Sequence, residues 1–280
     1  MSNYHIKHLE EYYQVYRKSV REPENFWEEI AEEHFVLFAT AKGTVKKVSL
    51  TQFSRPRANG IIALELLDDD YLIGADLTNG HQDVMLFTDA GKVIRFDEAQ
   101  VRPMGRTARG VRGVKLKEGQ NVIALVIAKE GGAILTATEN GYGKRTDMTE
   151  YRQTGRGGQG VISIQVTDRN GLVIGAKQVT DEDDIMLISN GGVLVRTPAK
   201  DISVISRNTQ GVRLINLDEG ENLVSLAKVD EDVDDTDEVE KEEPAGFDDV
   251  NEVLSSYRRA QIIAKATGQW PVSSERSQEN

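Results

Sequence analysis

The chain has 280 residues, a formal net charge of −12 and no cysteine, which excludes disulfides, thiolate metal sites and thiol nucleophiles. No apolar run reaches the roughly 18 residues that span a bilayer, and the polar first residues lack the order of a signal peptide. We therefore expect a soluble, cytoplasmic protein with no membrane partner. Its four histidines are scattered, so we expect no metal site and no cofactor.

The charge is unevenly distributed along the chain. Residues 1–34 carry a net charge of −4, residues 35–228 carry +2, and residues 229–280 carry −10. A mildly basic middle between two acidic ends indicates an electrostatic partner for the middle, or an internal mimic of that partner.

The first 34 residues predict a helical N-terminal extension. Apolar side chains recur at helical spacing from Ile6 to Val20, and Pro23 then interrupts the pattern before it resumes at Phe26. We expect this extension to end where the first strand begins, at residue 35.

Residues 35–229 repeat one unit four times. Each copy begins with a short apolar strand and a hairpin turn, whose glycines are Gly43, Gly91, Gly141 and Gly191, spaced 48, 50 and 50 residues apart. A second strand, a second glycine and two further strands follow in every copy. This period predicts a mainly β fold, a β-pinwheel or propeller-like repeat of four-stranded blades flanked by short N- and C-terminal helices. The repeats are placed at 35–82, 83–132, 133–183 and 184–229; the alternative is a sandwich of unrelated hairpins.

Basic residues recur in the second strand of each repeat and in the loop before its second glycine. If equivalent loops share one rim, they form a basic track that neutralises DNA phosphates, separate from the acidic turns before the fourth strands. We predict no catalytic residue. The predicted DNA-binding residues are Lys46, Lys47, Arg55, Arg57, Arg95, Arg102, Arg106, Arg109, Arg112, Lys144, Arg145, Arg152, Arg156, Gly157, Gly158, Arg196, Arg207 and Arg213. For each of them the alternative is a solvated surface of mixed charge.

Three short segments within the repeats resemble a known protein family. Residues 89–96, 140–146 and 207–211 resemble the C-terminal β-pinwheel domain of bacterial DNA gyrase A, and the similarity extends over about residues 35–230. The resemblance implies a module that binds and wraps double-stranded DNA and supports negative supercoiling. The module is not an enzyme on its own; its partners would be the breakage-reunion domain and the ATPase subunit of this ATP-hydrolysing type II topoisomerase. The topoisomerase IV counterpart is similar but more divergent.

The sequence departs from that family in two respects. The family domain normally has six blades, and this chain begins where the third is expected. The family's signature box has the form Gln-Arg-Arg-Gly-Gly-Lys-Gly, whereas the nearest segment here, residues 153–160, has Gln159 in place of the lysine and one extra residue. We expect no cleavage and religation on this chain, because the breakage-reunion domain is not recognised in it.

The acidic end contains ten acids among residues 230–243 and predicts a disordered linker over 230–247. It acts either as a solubilising linker or as a DNA mimic that competes for the basic rim. An amphipathic helix is predicted over 248–270 and a disordered tail over 271–280.

Two alternative functions stay open beside DNA wrapping. The first is a non-catalytic propeller that binds other proteins and uses its charges for solubility. The second is remote: residues 5–34 weakly resemble the N-terminal segment of acetyl-CoA synthetases, but the glycine-rich and Ser/Thr-rich motifs of adenylate-forming enzymes do not follow.

Overall fold

The computed structural model describes residues 21, 31–54 and 60–229. The predictions for 230–247, 248–270 and 271–280, and most of the N-terminal extension, lie outside the described residues. Residues 31–33 are helical, and Ala31 packs against the first repeat. None of the helices in the described part of the chain has the length and apolarity needed to cross a membrane.

The described chain contains fifteen strands and four short 3-10 helices. The strands are β1 Phe35–Thr40, β2 Thr44–Ser49, β3 Leu72–Thr78, β4 Asp83–Thr88, β5 Lys92–Asp97, β6 Val111–Arg112, β7 Val122–Ala128, β8 Ala133–Thr138, β9 Tyr142–Asp147, β10 Val161–Ile162, β11 Val173–Val179, β12 Asp184–Ser189, β13 Leu194–Pro198, β14 Val212–Arg213 and β15 Leu223–Val229. The 3-10 helices are η1 Leu50–Phe53, η2 Glu98–Gln100, η3 Met148–Glu150 and η4 Ala199–Asp201.

These strands form four antiparallel sheets, which we number as blades in chain order. The strand orders are β3-β1-β2-β6, β7-β4-β5-β10, β11-β8-β9-β14 and β15-β12-β13. The predicted mainly β pinwheel is thereby confirmed, with three four-stranded blades and one three-stranded blade. The two-residue strands β6, β10 and β14 each complete the blade of the preceding repeat, an exchange that the period alone does not predict.

Each exchange depends on the hairpin turn of the receiving blade. The carbonyl oxygens of Gly43, Gly91 and Gly141 each accept two backbone N–H groups from the repeat that follows. The equivalent glycine of the fourth blade is Gly192, with a φ of +85° and an N–H bond to the Ser189 carbonyl, rather than the predicted Gly191. The four turn glycines are therefore 48, 50 and 51 residues apart.

Three of the four hydrophobic clusters among the described residues lie between blades, and the fourth lies on the first blade, where Ala31 packs with Val36 and Phe38. One cluster joins Leu37 of the first blade to Leu86 of the second, and the next joins Phe87 to Ile134 of the third. A third cluster joins Leu135 to Leu187 of the fourth blade. Because one blade buries its apolar faces only against its neighbours, the repeats stabilise one another in series.

Two glycines, Gly60 and Gly211, form a matched pair that tests how closely the backbones of neighbouring repeats must approach. Gly60 and Gly211 have the same φ of +80°, but a Cβ on Gly211 would lie 2.6 Å from the Gly143 carbonyl oxygen, whereas no described residue comes within 4 Å of one on Gly60. We expect Gly60→Ala to cost about 1 kcal/mol of unfolding free energy through the left-handed backbone alone. Gly211→Ala should cost roughly 2 kcal/mol more, because the paired strands β14 and β9 must move apart. Urea unfolding of both variants measures the difference, and equal costs would contradict it.

Candidate nucleic-acid interface

The loops that contain six of the thirteen predicted arginines occupy equivalent positions on consecutive blades. We call residues 101–110, 151–160 and 202–211 the arginine loops. Each lies along the second strand of the preceding blade, since Met104, Thr154 and Ile205 donate their N–H groups to the carbonyls of Lys47, Arg95 and Arg145 at 2.8, 2.8 and 2.9 Å. The loops therefore follow one edge of the blades in series, as a continuous track requires.

The acidic turns lie beside a different part of each blade. Backbone bonds join Ala41 to Tyr71 and Glu139 to Leu172, so the segments that carry these acids meet the hairpin turns rather than the arginine loops. Asp68, Asp69 and Asp168 are exposed there. These acids of the turns therefore lie apart from the arginine loops.

Two predicted lysines are buried inside the blades. Lys46 Nζ donates to the carbonyls of Ala63, at 3.0 Å, and Arg106. Lys144 Nζ donates to Thr146 Oγ1 and to the carbonyls of Ser206 and Arg207, at 2.8, 2.6 and 3.1 Å. Burial lowers the pKa of each ammonium group from 10.5 to about 8. In this structure neither group faces solvent, where a phosphate would lie.

The next position of the second strand binds the following repeat. Lys47 Nζ donates to the Glu98 carbonyl at 3.0 Å, Arg95 Nη1 to the Met148 and Tyr151 carbonyls at 3.1 and 3.0 Å, and Arg145 Nε to the Ile202 carbonyl at 2.8 Å. Each acceptor belongs to η2, η3 or η4, or to the residue directly after it. We call these contacts the second-strand ties. Arg196 occupies the same position in the fourth blade, and its side chain is 59% exposed and pairs with Asp184.

Three arginines of the loops bind the segment that follows the second glycine of the preceding repeat, which is an exchanged strand in two of the three cases. Arg106 Nη1 donates to the Ile62 carbonyl at 3.0 Å, Arg207 Nη1 donates to the Ile162 carbonyl at 2.8 Å, and Arg156 Nη1 donates to the Arg112 carbonyl. These side chains are half-buried. We call them the loop latches, because each connects a repeat to this segment of the preceding repeat.

The glycine pair of the third repeat also joins two repeats. Gly157, with a φ of +81°, donates its N–H to the Gly113 carbonyl at 2.7 Å, and the Gly158 carbonyl accepts from the Lys115 N–H at 2.8 Å. Gly158 is exposed, and Gly157 is half-buried. The segment 153–160 is therefore a structural contact between repeats as well as a candidate DNA contact.

Six of the predicted arginines are exposed in the described chain, and Arg55 and Arg57 lie outside it. Arg109 pairs with Glu65 at 3.2 Å, and Arg213 donates to the Tyr142 hydroxyl at 2.9 Å. The exposed set is Arg102, Arg109, Arg112, Arg152, Arg196 and Arg213.

Sequence reasoning passed over other exposed cations that lie near this set. Lys115 and Lys117 follow β6 directly, three and five residues after Arg112, and the guanidinium of Arg169 stacks 4.7 Å from the ring centre of Tyr142. Their equivalents in other repeats are not basic, so a search for recurring charge does not find them. No cluster of carboxylates or histidines suited to a metal ion occurs among the described residues.

The comparisons with known proteins agree with one another. The family "DNA gyrase C-terminal domain, beta-propeller" matches residues 34–79, 82–129, 133–180 and 183–230. The chain is 60% identical over 200 residues to the DNA gyrase A protein of Salmonella typhimurium strain LT2 and 55% identical over 202 residues to that of Escherichia coli K12. These alignments cover 71% and 72% of this chain but 23% of each relative, so the chain spans about a quarter of their length.

Two solved structures share the architecture. The C-terminal domain of DNA gyrase A superposes with a TM-score of 0.64 at 30% identity, covering 70% of this chain and 66% of that one. The C-terminal domain of DNA topoisomerase IV gives 0.67 at 28% identity, covering 70% and 62%.

Arg95, which makes a second-strand tie, and Arg196, which makes none among the described residues, are a matched pair of arginines. We expect Arg95→Met to lower the unfolding free energy by about 2 kcal/mol, because two carbonyls lose a charged donor. Arg196→Met should change it by less than about 0.5 kcal/mol, because its pair with Asp184 is exposed. Urea denaturation followed by circular dichroism measures both values, and an equal loss in both variants would show that the ties contribute nothing specific.

The buried ammonium of Lys144 predicts a pH-dependent stability. Between pH 8 and pH 10.5 the folded state binds fewer protons at this site than the unfolded state, so the unfolding free energy rises with pH there. Below pH 8 the full cost of burying the charge is present. The unfolding free energy of the wild type relative to Lys144→Met should therefore increase through this window. Lys117→Met, at an exposed position, is the control and should show a constant difference; a flat profile for Lys144→Met would contradict the assignment.

Proposed function

The chain belongs to the family of DNA gyrase C-terminal β-propeller domains, and from this premise we propose that it is a DNA-binding and DNA-wrapping module of a type II topoisomerase. Duplex DNA lies along the arginine loops and the end of β6 in this proposal. One observation carries it: the guanidinium groups of Arg102, Arg112 and Arg152 are exposed and have no hydrogen-bond or ion-pair partner within the described part of the chain.

The chemistry of these groups suits a phosphate backbone. Arginine donates in a planar fork that matches phosphate oxygens, and neutralising phosphates releases the counterions condensed on DNA. Contacts of this kind position a duplex without reading its bases. Affinity is therefore expected to depend strongly on salt and weakly on sequence.

The arrangement of the loops supports wrapping in addition to binding. Equivalent loops recur once per blade along one edge, so a duplex that follows them makes the same contact at regular intervals. Proteins that bind DNA at repeated backbone contacts bend it at a cost that depends on its deformability. The loop latches hold the loop backbone in place before DNA arrives, which reduces the ordering entropy lost on binding.

The proposal assigns no catalytic step to this chain. DNA cleavage, religation and ATP hydrolysis belong to the breakage-reunion domain and the ATPase subunit, which are the partners that we propose for it in the cytoplasm. The contribution of this module is to hold a curved segment of duplex, which biases strand passage towards negative supercoils.

A charge-matched pair of triple variants tests the DNA path. In Arg102→Gln/Arg112→Gln/Arg152→Gln, we expect the slope of log K against log salt to fall by about 2 to 3, because about 0.9 is lost for each phosphate contact. The control Lys42→Gln/Lys129→Gln/Lys177→Gln removes three exposed cations outside the arginine loops and should keep the slope. Titration of a duplex of about 150 base pairs between about 50 and 200 mM salt gives both values.

The same proteins distinguish wrapping from simple binding. Nicked plasmid closed by ligase in the presence of the wild type should acquire a shifted linking number, and the arginine variant should lose most of that shift while the lysine variant retains it. Equal effects of both variants would indicate that net charge alone attracts DNA. No salt-dependent binding by the wild type would favour the protein-interaction propeller instead.

A further inference from the structure

Three equivalent joints connect the four repeats, and each has a donor half and an acceptor half. The donor half is a glycine of positive φ, namely Gly110, Gly160 or Gly211, followed by the two-residue strand β6, β10 or β14. The acceptor half is the turn glycine and second strand of the preceding blade. In these joints the N–H groups of Gly113, Ser163 and Leu214 reach the turn-glycine carbonyls at 2.7, 2.8 and 2.8 Å.

An unmatched donor half lies in the first repeat. Gly60 has a φ of +80°, like Gly211, and the Ile62 carbonyl is fastened by Arg106 as the equivalent carbonyls are by the other two loop latches. A Cβ on Gly110 or Gly211 would lie 2.6 Å from a backbone oxygen of the acceptor strand, but no described residue lies within 4 Å of one on Gly60. The Ile62 side chain is 67% exposed. The segment is thus held in donor geometry, and it has no acceptor in the part of the chain that the structure describes.

An unmatched acceptor half lies in the fourth repeat. Gly192 has the turn geometry of Gly43 and Gly141, where a Cβ would lie 2.8 and 2.7 Å from residues of the next repeat, yet no described residue lies within 4 Å of one on Gly192. Within the described chain, β13 pairs only with β12. Val193 and Leu194 at its start are 40% and 58% exposed. This leaves an apolar strand edge open to another chain.

A third pair of groups is unmatched in the same way. The second-strand ties run from Lys47, Arg95 and Arg145 to the 3-10 helix of the following repeat. No repeat follows Arg196 among the described residues, and η1 Leu50–Phe53 accepts no second-strand tie from a preceding blade in that part of the chain. These unmatched groups lie in the first and the fourth repeats. Each group at one end is the usual partner of a group at the other end.

We propose that the two halves join between copies of this chain, so that residues 61–62 of one copy complete the fourth blade of another, head to tail. By equivalence with Val111 opposite Val45 and Arg112 opposite Thr44, Ile61 lies opposite Leu194 and Ile62 opposite Val193. The N–H groups of residues 63 and 64 then bond to the Gly192 carbonyl, and Arg196 reaches the carbonyls of η1. The new contact pairs strand edge with strand edge and apolar side chain with apolar side chain.

A second copy fits these ends better than the same chain does. Both half-joints stay open among residues 31–54 and 60–229, and the three inter-blade clusters fix the position of each blade against the next. Joining two copies leaves these three clusters unchanged. Ala31 covers Val36 and Phe38, which are equivalent to the residues Val84 and Leu86 that pack on the preceding blade, so the segment at Ala31 must move aside when the fourth blade of another copy packs there. The contact is heterologous, so each dimer keeps one free half of each kind and further copies can add.

Cysteine crosslinking tests the register directly, because the chain has no cysteine of its own. Ile62→Cys mixed with Val193→Cys, under oxidised glutathione, should form a disulfide-linked dimer that neither variant forms alone. Ile62→Cys mixed with Lys200→Cys is the control and should stay uncrosslinked, since Lys200 is exposed on η4. If the double variant Ile62→Cys/Val193→Cys forms only an intramolecular disulfide, ring closure replaces the proposal.

Sedimentation velocity gives an independent readout. The wild type should exceed its 31.1 kDa monomer mass as concentration rises. Ile62→Asp and Leu194→Asp alter exposed side chains at opposite ends, so each alone should stay monomeric, and their mixture should form a dimer and no larger species. A wild type that stays monomeric at every concentration, or single variants that assemble like it, would overturn the proposal. The salt slope of DNA binding by Ile62→Asp should be unchanged, so the two proposals fail separately.

Discussion

The fold depends on a backbone contact that only glycine allows. In every joint a turn-glycine carbonyl receives two N–H groups from the next repeat, and a second glycine of positive φ passes against the receiving strand. A Cβ on Gly43 would lie 2.8 Å from Val114, and one on Gly110 would lie 2.6 Å from the Val45 oxygen. Because no blade is complete without the next repeat, stability is shared along the chain, and the first and last repeats necessarily differ from the others.

The same constraint explains why so many cations are not on the surface. A carbonyl at the end of a 3-10 helix has no partner within that helix, and a long cationic side chain from the preceding blade reaches it. Arg145 satisfies the Ile202 carbonyl in this way and Arg95 satisfies that of Tyr151, while the Met148 carbonyl accepts both from Arg95 and from the Tyr151 N–H. These charges are half-buried or buried, and the hydrogen bonds to the carbonyls offset the loss of hydration. Their recurrence in the sequence therefore reflects the joint between repeats.

Most of the fold could be predicted from the sequence, because hairpin turns and apolar strands leave local signals that recur with one period. The strand exchange could not, since a glycine followed by Val111 and Arg112 looks the same whether the strand pairs within its own blade or with its neighbour. The turn glycine of the fourth repeat was misplaced by one residue, because Gly191 and Gly192 are adjacent and only the backbone angle separates them. The charge of Lys46 and Lys144 led to a surface assignment, although the apolar Ile94 and Val195 at the equivalent positions of the other two blades indicate a buried position.

The period therefore identifies which residues are equivalent, while burial decides what equivalent residues do. Within one arginine loop, Arg106 turns inward to the Ile62 carbonyl, whereas Arg102 and Arg109 stay exposed. The two roles support each other, because a loop whose backbone is fixed to Lys47 presents its free guanidinium groups from a defined position. Only side-chain entropy is then lost when a phosphate binds, which favours affinity from a small number of contacts. A flexible loop with the same charges would attract DNA equally well from a distance but would not impose a path on it.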